Sequence, residues 1–467
     1  MNRILTSQTT KLVDKTVNLA GWVHRVRRMG QIVFIDLRDR SGLVQVVFDA
    51  PIKEAQKLRP EFVIQVTGQV VERQSKNVNK DVSTGQVEIS ATELVILSRA
   101  KTPPFEIVNE DRQASDDLRL KYRYLDLRHK RMARNLRVRA SVIRYIREYL
   151  NNNDFVEIQT PILTKSTPEG ARDYLVPSRV HPGKFFALPQ SPQQYKQLLM
   201  VAGFERYYQI APCFRDEDAR ADRSPGEFYQ LDLEMSFVEQ DDILQITEKL
   251  FSSLVKELFP DKKITTQPWP RLTYKEAMDK YSTDSPDLRK DKKDPNELAF
   301  AWITDFPLFT KQSADDYFYG AGEKWAPSHH MFTAPKTEDI PLLDTDPGQA
   351  RGQQHDMVLN GQEVGGGSIR IHDPEIQSKV FDCIGFTEKH KKDFEHLLTA
   401  FTYGVPPHGG IAPGIDRLVS IFAGEKNIRE VIAFPLSNDV SDPLMGAPTE
   451  VTPEQLAELH LEIKKKK

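Results

Sequence analysis

The chain has 467 residues, 39% hydrophobic and 28% charged, so it carries ample apolar material for large cores and is too apolar to be disordered. Its 64 Lys and Arg against 67 Asp and Glu leave a formal charge of -3, which does not by itself advertise a nucleic-acid binder. There is no run of 18 apolar residues and no apolar leader-like segment in Met1 to Thr16, and Cys213 and Cys383 are too few for a disulfide framework, so the expectation is a cytoplasmic protein with no membrane partner.

From Val17 to Leu97 alternation predicts five strands, Val17–Val26, Gln31–Asp39, Leu43–Phe48, Phe62–Val71 and Val87–Leu97, which suit a small Greek-key barrel of the OB type. Basic residues crowd this part and the stretch after it: His24, Arg25, Arg27 and Arg28, then Arg119 to Arg139. Such a basic region on a near-neutral chain suggests a face for a polyanion. Phe34 is a candidate stacking platform for a base, although the pattern alone favours a core phenylalanine.

Lys101–Asp117, with Pro103-Pro104, reads as a linker. The helix Ala133–Leu150 is expected to bury Leu136, Ala140, Ile143, Ile146 and Leu150 and to open a larger domain. Strands at Tyr207–Phe214, Phe228–Val238, Met357–Val364 and Ser368–Ile371 then alternate with helices at Asp241–Leu258, Pro374–Cys383, Thr387–Tyr403 and Asp416–Phe422. Hairpin-joined strands flanked by helices predict an α+β domain on an antiparallel sheet. Neither GxGxxG nor GxxxxGK[ST] occurs, so a Rossmann or P-loop site has no support.

Three stretches are suited to chemistry. In the strand after Phe214-Arg215-Asp216-Glu217, Gln230, Asp232, Glu234 and Ser236 share one face opposite Tyr229, Leu231, Leu233 and Met235. With one face apolar, the polar one is expected to line a cleft, where Arg215 suits a phosphate or carboxylate. Next, Asn360-Gly361 predicts a two-residue type I′ hairpin turn pairing Leu359 with Gln362 and Val358 with Glu363. Asp356 and Glu363 then share a face and can hold Mg²⁺ together, and a bulge within Gly365-Gly366-Gly367 is needed for Arg370 to join them. The third, Gly414-Ile415-Asp416-Arg417, opens an apolar helix and can bring backbone and an arginine to a nucleotide. His329-His330 are possible ligands or bases without a third ligand at zinc-like spacing.

Together these stretches resemble aspartyl-tRNA synthetases of the bacterial type, within the class II aminoacyl-tRNA synthetases. The likeness is carried by Gly21-Trp22-Val23-His24-Arg25, the hinge Tyr122-Arg123-Tyr124-Leu125-Asp126-Leu127-Arg128, Glu157-Ile158-Gln159-Thr160-Pro161 as motif 1, Phe214-Arg215-Asp216-Glu217 as motif 2 and Gly414-Ile415-Asp416-Arg417-Leu418 as motif 3. The resemblance implies an anticodon-binding barrel at 1–102, a hinge at 103–130, a class II catalytic domain at 131–467 and a homodimer. It implies ATP-dependent activation of L-aspartate to aspartyl-adenylate and transfer to the 3′ end of tRNA(Asp), or of both tRNA(Asp) and tRNA(Asn). By the same carry-over, Glu169, Gln193, Lys196, Asp232, His329 and Arg370 bind aspartate, and Arg370 with Lys196 takes its side-chain carboxylate. An amide there would leave buried cations unpaired, which would select against asparagine. Arg215, Asp216, Glu217, Glu363, Gly414, Ile415, Asp416 and Arg417 bind ATP, with Arg215, Arg417 and Glu363 catalytic. Asp356 and Glu363 hold Mg²⁺, and Phe34, Gln45 and Glu93 read the anticodon.

Three departures stand out. The inserted domain of the family is reduced to Lys290–Leu298, Ser224-Pro225-Gly226 lengthens the loop after Arg223, and Leu436 stands where the family has a basic residue.

Overall fold

The computed structural model describes residues 2–49, 52–108, 114–166, 171–217, 226–312 and 325–464. Two units divide at Ser115/Asp116.

The first unit is a barrel of β1 (Thr16–Met29), β2 (Ile32–Asp39), β3 (Gly42–Phe48), β4 (Val63–Glu72) and β5 (Val87–Ser98). The order β1-β2-β3-β5-β4 closes through β1–β4 pairing, and Arg3–Ile4 adds a short edge beside β1. The β3–β5 pair and the Arg3–Ile4 edge on β1 are parallel, the other pairs antiparallel. Alternation sets Val33, Ile35, Leu37, Val44, Val46, Ile64, Val66 and Ile89 into one core. Phe34 points the other way and is half-buried outside that core, so the core reading of this residue is wrong.

The second unit starts within the expected hinge. Asp116–Lys121 and Arg123–Asp126 are helical rather than linker, and Arg123 is held by the carbonyls of Arg429, Ile432 and Ala433 and by Asp126. Helix α1 (Lys130–Asn151) buries Met132, Asn135, Val142, Ile146 and Leu150. The expected stripe is therefore turned: Leu136 and Ile143 are half-buried and Ala140 is exposed, because Asn135 faces inward to donate to Glu425 and the Glu430 carbonyl.

Eight strands form the sheet. They are β6 (Val156–Glu157), β7 (Arg206–Arg215), β8 (Gly226–Ser236), β9 (Arg271–Thr273), β10 (Phe300–Thr304), β11 (Gln354–Leu359), β12 (Gln362–Ile369) and β13 (His408–Pro413). Their order is β9-β10-β11-β12-β13-β8-β7-β6, antiparallel except for the parallel outer pairs β9–β10 and β6–β7. Between β6 and β7 lies α2 (Gln193–Val201), between β8 and β9 lies α3 (Gln240–Leu258), and α4 (Ile415–Ala423) follows β13. The apolar sheet face, with Leu231, Leu233, Phe300, Trp302, Met357 and Ile411, packs in one core with α1, α3 and α4. The segment expected as one helix at Thr387–Tyr403 is two, Glu388–Lys392 and Glu395–Phe401, because Phe394 turns inward against Phe332, Phe381 and Phe386.

Candidate active site

Register decides which side chains meet on the other face. Val358 pairs with Glu363 but Met357 pairs with Gly365, so Val364 is an extra residue and the strand bulges there, just before the glycines rather than among them. Past that bulge, parity returns Gly366, Ser368 and Arg370 to the side of Glu363 and Asp356. Gly366 pairs with Ala412, Glu234 with Gly410, and Asp232 with Gln209. One polar face thus runs from Asp356 across Glu363, Arg370, Glu234 and Asp232 to Arg215. The glycines are required by close approach: a Cβ on Gly410 would lie 2.0 Å from the Leu233 carbonyl oxygen, and one on Gly367 2.2 Å from that of Gly410.

This face floors a cavity of about 290 Å³ whose wall includes Gln193, Lys196, Arg215, Glu217, Phe228, Asp232, His329, Glu363, Arg370, Gly414, Asp416 and Arg417. At one end, four charged groups are buried together. Lys196 Nζ lies 2.6 Å from Asp232 Oδ1 and 3.3 Å from Glu234. Arg370 grips both Glu234 oxygens, at 2.9 and 3.1 Å, and its third nitrogen meets Ser368 Oγ and His330 Nε2 at 2.6 Å each. Among the described residues four of its five N–H groups are taken. Among the described residues Asp232 Oδ2 is buried without a hydrogen bond, the nearby Tyr207 hydroxyl donating to Gln209 at 3.0 Å. Burial pushes the Glu234 carboxyl up, yet Arg370 and Lys196 outweigh it and bring its pKa down to about 2.

Glu234 revises the expected selection rule. The two cations are already neutralised by Asp232 and Glu234, so an amide ligand would not leave them unpaired.

Toward the other end, Arg215 lies over the Phe228 ring at 5.0 Å with its Nε buried and unbonded among the described residues, and Arg417 donates to the Glu363 carbonyl at 2.6 Å. Asp356 Oδ1 and Glu363 Oε1 approach one point over Gly366, at 3.3 and 3.6 Å from where its Cβ would be, and His329 Nε2 lies 3.2 Å from that point. Burial, then Glu363, raises the Asp356 carboxyl well above its ordinary range, while Gln354 Nε2 spans both its oxygens at 3.2 and 3.3 Å. Among the described residues no set of three or more His, Cys, Asp or Glu is arranged to hold a metal ion. Two crowded carboxylates fit a hard cation that takes its remaining ligands from water and phosphates. Burial and Arg370 pull the His329 pKa down to about 3, so the ring is neutral.

The other expected residues fall as follows. Glu169 lies outside the described residues, as do Ser224 and Pro225. Ile415 is fully buried in the core, so it offers a ligand only backbone, and Asp216 pairs with Arg172 outside the cavity wall. Leu436 packs 3.0 Å from the Cβ position of Gly226. Glu297 accepts from the Lys290 and Asp291 amides at 2.9 Å, closing the short connection into a tight turn.

On the barrel, Phe34 sits beside Arg27 and Val47 on the outer face. Gln45 accepts from Arg27 at 3.0 Å and donates to Glu88 at 2.8 Å. The acid beside Gln45 is thus Glu88, whereas Glu93 pairs with Thr67 beyond a β5 bulge and is exposed. Parallel pairing of Gln45 with Glu88 is a long-range contact that alternation does not reveal.

Residues 17–97 match the OB-fold nucleic acid binding domain, and residues 115–438 match the tRNA synthetases class II (D, K and N). The chain belongs to the class II tRNA synthetases. It is 43% identical to an aspartate–tRNA(Asp/Asn) ligase of Rubrobacter xylanophilus, covering 97% of this chain and 95% of that protein, and 42% identical to an aspartate–tRNA ligase of Lysinibacillus sphaericus, covering 97% of each. The first alignment runs over 579 positions against 467 residues here, so roughly a hundred positions of that relative have no counterpart in this chain. Two solved structures share the fold: asparaginyl-tRNA synthetase from Pyrococcus horikoshii with asparaginyl-adenylate (TM-score 0.75, 24% identity, 93% and 98% covered) and aspartyl tRNA synthetase from Entamoeba histolytica (0.72, 24%, 93% and 91%).

Proposed function

We propose that this synthetase is an aspartate–tRNA ligase, activating L-aspartate with ATP and passing it to the 3′ end of tRNA(Asp). The observation that carries the reading is a single cavity joining a buried Lys196–Asp232–Glu234–Arg370 cluster to two arginines. Asp232 Oδ2 takes the ammonium, and the open N–H groups of Arg370 and Lys196 take the side-chain carboxylate, with Gln193 beside them. The α-carboxylate, ionised at neutral pH, attacks the α-phosphorus and pyrophosphate leaves, so no general base is needed. Arg215 holds the α-phosphate and Arg417 the γ-phosphate, Glu217 lies by the base, and Phe228 gives it a flat apolar surface. The rate gain comes from placing the reactants in line and neutralising charge. Asp356 and Glu363 would hold Mg²⁺, which when bound offsets phosphate charge.

Phe34, Gln45 and Glu88 form the anticodon surface, a ring to stack on beside groups that hydrogen-bond base edges. Half-buried Leu136 and Ile143 with exposed Ala140, Val156, Ile162 and Leu163 form a homodimer face; Leu163→Asp is expected to halve the mass seen in sedimentation, and an unchanged mass refutes it. The enzyme works in the cytoplasm; no helix of the described residues is long and apolar enough to cross a membrane. A second reading, charging of tRNA(Asn) as well, is favoured by the Asp/Asn names of several relatives. Aminoacylation of purified tRNA(Asp) and tRNA(Asn) side by side tests both, and no aspartate on either tRNA refutes the function.

A further inference from the structure

We propose that Asp416 is a positioning residue for Arg417 rather than a contact to the nucleotide, and that Arg139 of α1 is the cation that fixes it; the proposal rests on the ATP site described above. Asp416 is the second residue of α4 and lines the cavity, yet it is only 4% exposed and both its oxygens are engaged within the protein. Oδ1 accepts from the Arg139 guanidinium and Oδ2 from the Tyr229 amide at 3.0 Å. The same guanidinium lies 5.7 Å over the Tyr229 ring and reaches the Val431 carbonyl at 3.5 Å. One carboxylate therefore ties together α1, β8 and the start of α4.

The chemistry of the cavity gives that tie a purpose. A bare carboxylate one residue from Arg417 would repel the phosphates that arginine is meant to hold; paired with Arg139, it adds no net charge to the cavity wall. The geometry matters as well. The N-cap of α4 is Gly414, which has no side chain to cap the first turn, so that turn is fixed by the Gly414 amide on the Val364 carbonyl (2.8 Å) and by Asp416. Arg417 leaves the same turn to reach the Glu363 carbonyl. Freeing Asp416 lets the turn rotate and swings the guanidinium away from the phosphate end.

The test uses the full-length protein and four variants: Asp416→Asn, Arg139→Met, Arg139→Lys and the Asp416→Asn/Arg139→Met double. Mg²⁺–ATP affinity is read by calorimetry without aspartate, KM for ATP and for aspartate by pyrophosphate exchange, and folding by thermal melting. Asp416→Asn and Arg139→Met are each expected to weaken ATP roughly tenfold or more with aspartate KM within about twofold, and Arg139→Met, which leaves Asp416 buried without its cation, is also expected to melt several degrees below wild type. Arg139→Lys is expected to recover most of the loss, and the double is expected to be no worse than the worse single, as for two ends of one contact. Unchanged ATP affinity in either single variant overturns the proposal, as do equal losses for ATP and aspartate or additive losses in the double. If the wild type binds ATP but shows no aspartate-dependent exchange, the aspartate reading falls while the calorimetry still decides the clamp.

Discussion

Glu234→Gln separates charge balance from shape in the proposed aspartate pocket. The two side chains have nearly the same volume, so the change removes one negative charge and leaves Arg370 and Lys196 buried against Asp232 alone. Removing one member of a buried ion pair costs about 3–5 kcal/mol, because the partner charge stays in the interior. The titration of the group gives the same size: a carboxyl brought from 4.5 to about 2 stabilises the fold by about 3 kcal/mol at neutral pH, at about 1.36 kcal/mol per decade. The sign follows from the depression. This stability is present above pH 4.5 and is lost only as pH falls toward 2, so at pH 7 the variant bears the whole cost. At about 2–4 °C per kcal/mol for a large domain, its melting temperature is expected to fall by roughly 6–20 °C. L-Aspartate brings a carboxylate to the same two cations, so it should raise the melting temperature of the variant more than that of wild type, and L-asparagine should not. Calorimetric scans of both proteins with each amino acid at saturation decide the matter. A fall below about 1 °C, or equal rescue by asparagine, would refute the charge-balance account.

Three further outcomes are expected. On the barrel, Phe34→Ala and Glu88→Gln should each lower kcat/KM for tRNA charging by about 1–3 kcal/mol and leave pyrophosphate exchange untouched, while Glu93→Ala should change neither; a large effect of Glu93 restores it as a reader. Gly366→Ala and Gly367→Ala should part company: the nearest atoms to the Gly366 methyl are those of His329, Asp356 and Glu363 at 3.2–3.6 Å, so this variant should give a folded enzyme with impaired Mg²⁺ dependence. The Gly367 methyl meets the Gly410 carbonyl oxygen at 2.2 Å and should destabilise the sheet; similar melting curves would contradict this. Burial holds His329 and His355 at about 3 and His408 at about 4, with His330 also well below 6.5, so each must take up a proton on unfolding below pH 6.5. Asp232 and Asp356, raised by burial, offset up to two of these protons. Stability is therefore expected to fall as pH drops below about 6.5, measured by denaturant titration, and a flat profile would remove the histidines from the balance.

What the sequence reveals and what it withholds divide along the range of the contact. The barrel strands, the Asn360-Gly361 turn and the shared face of Asp356 and Glu363 are local: alternation and a two-residue turn set them, and the observed pairs Val358–Glu363 and Leu359–Gln362 are the expected ones. The bulge needed to bring Arg370 to that face is implied by parity alone, but its place at Val364 depends on how β12 lies against β11 and β13. Alternation likewise puts Glu234 on the polar face of β8 without naming its partner, because Arg370 is 136 residues away. Glu88 is hidden for the same reason, since a parallel β3–β5 pair has no turn to announce it.

The errors share a physical cause. Hydrophobic periodicity treats a buried polar residue as a surface one, so Asn135, turned inward to Glu425, shifts the buried stripe of α1 and exposes Ala140. Carrying roles over by motif, in turn, takes a carboxylate beside a binding motif as a ligand without asking what already holds it. Asp416 stands next to Arg417, yet its oxygens already answer to Arg139 and Tyr229. In a site that receives the anions of ATP and an amino acid, a wall carboxylate repels them unless it binds a cation or is neutralised from within. Asp232 keeps one oxygen for the first task, while Glu234 and Asp416 are committed to the second. That division can be read only once the partners, drawn from α1, α2 and the end of β12, have been folded into place.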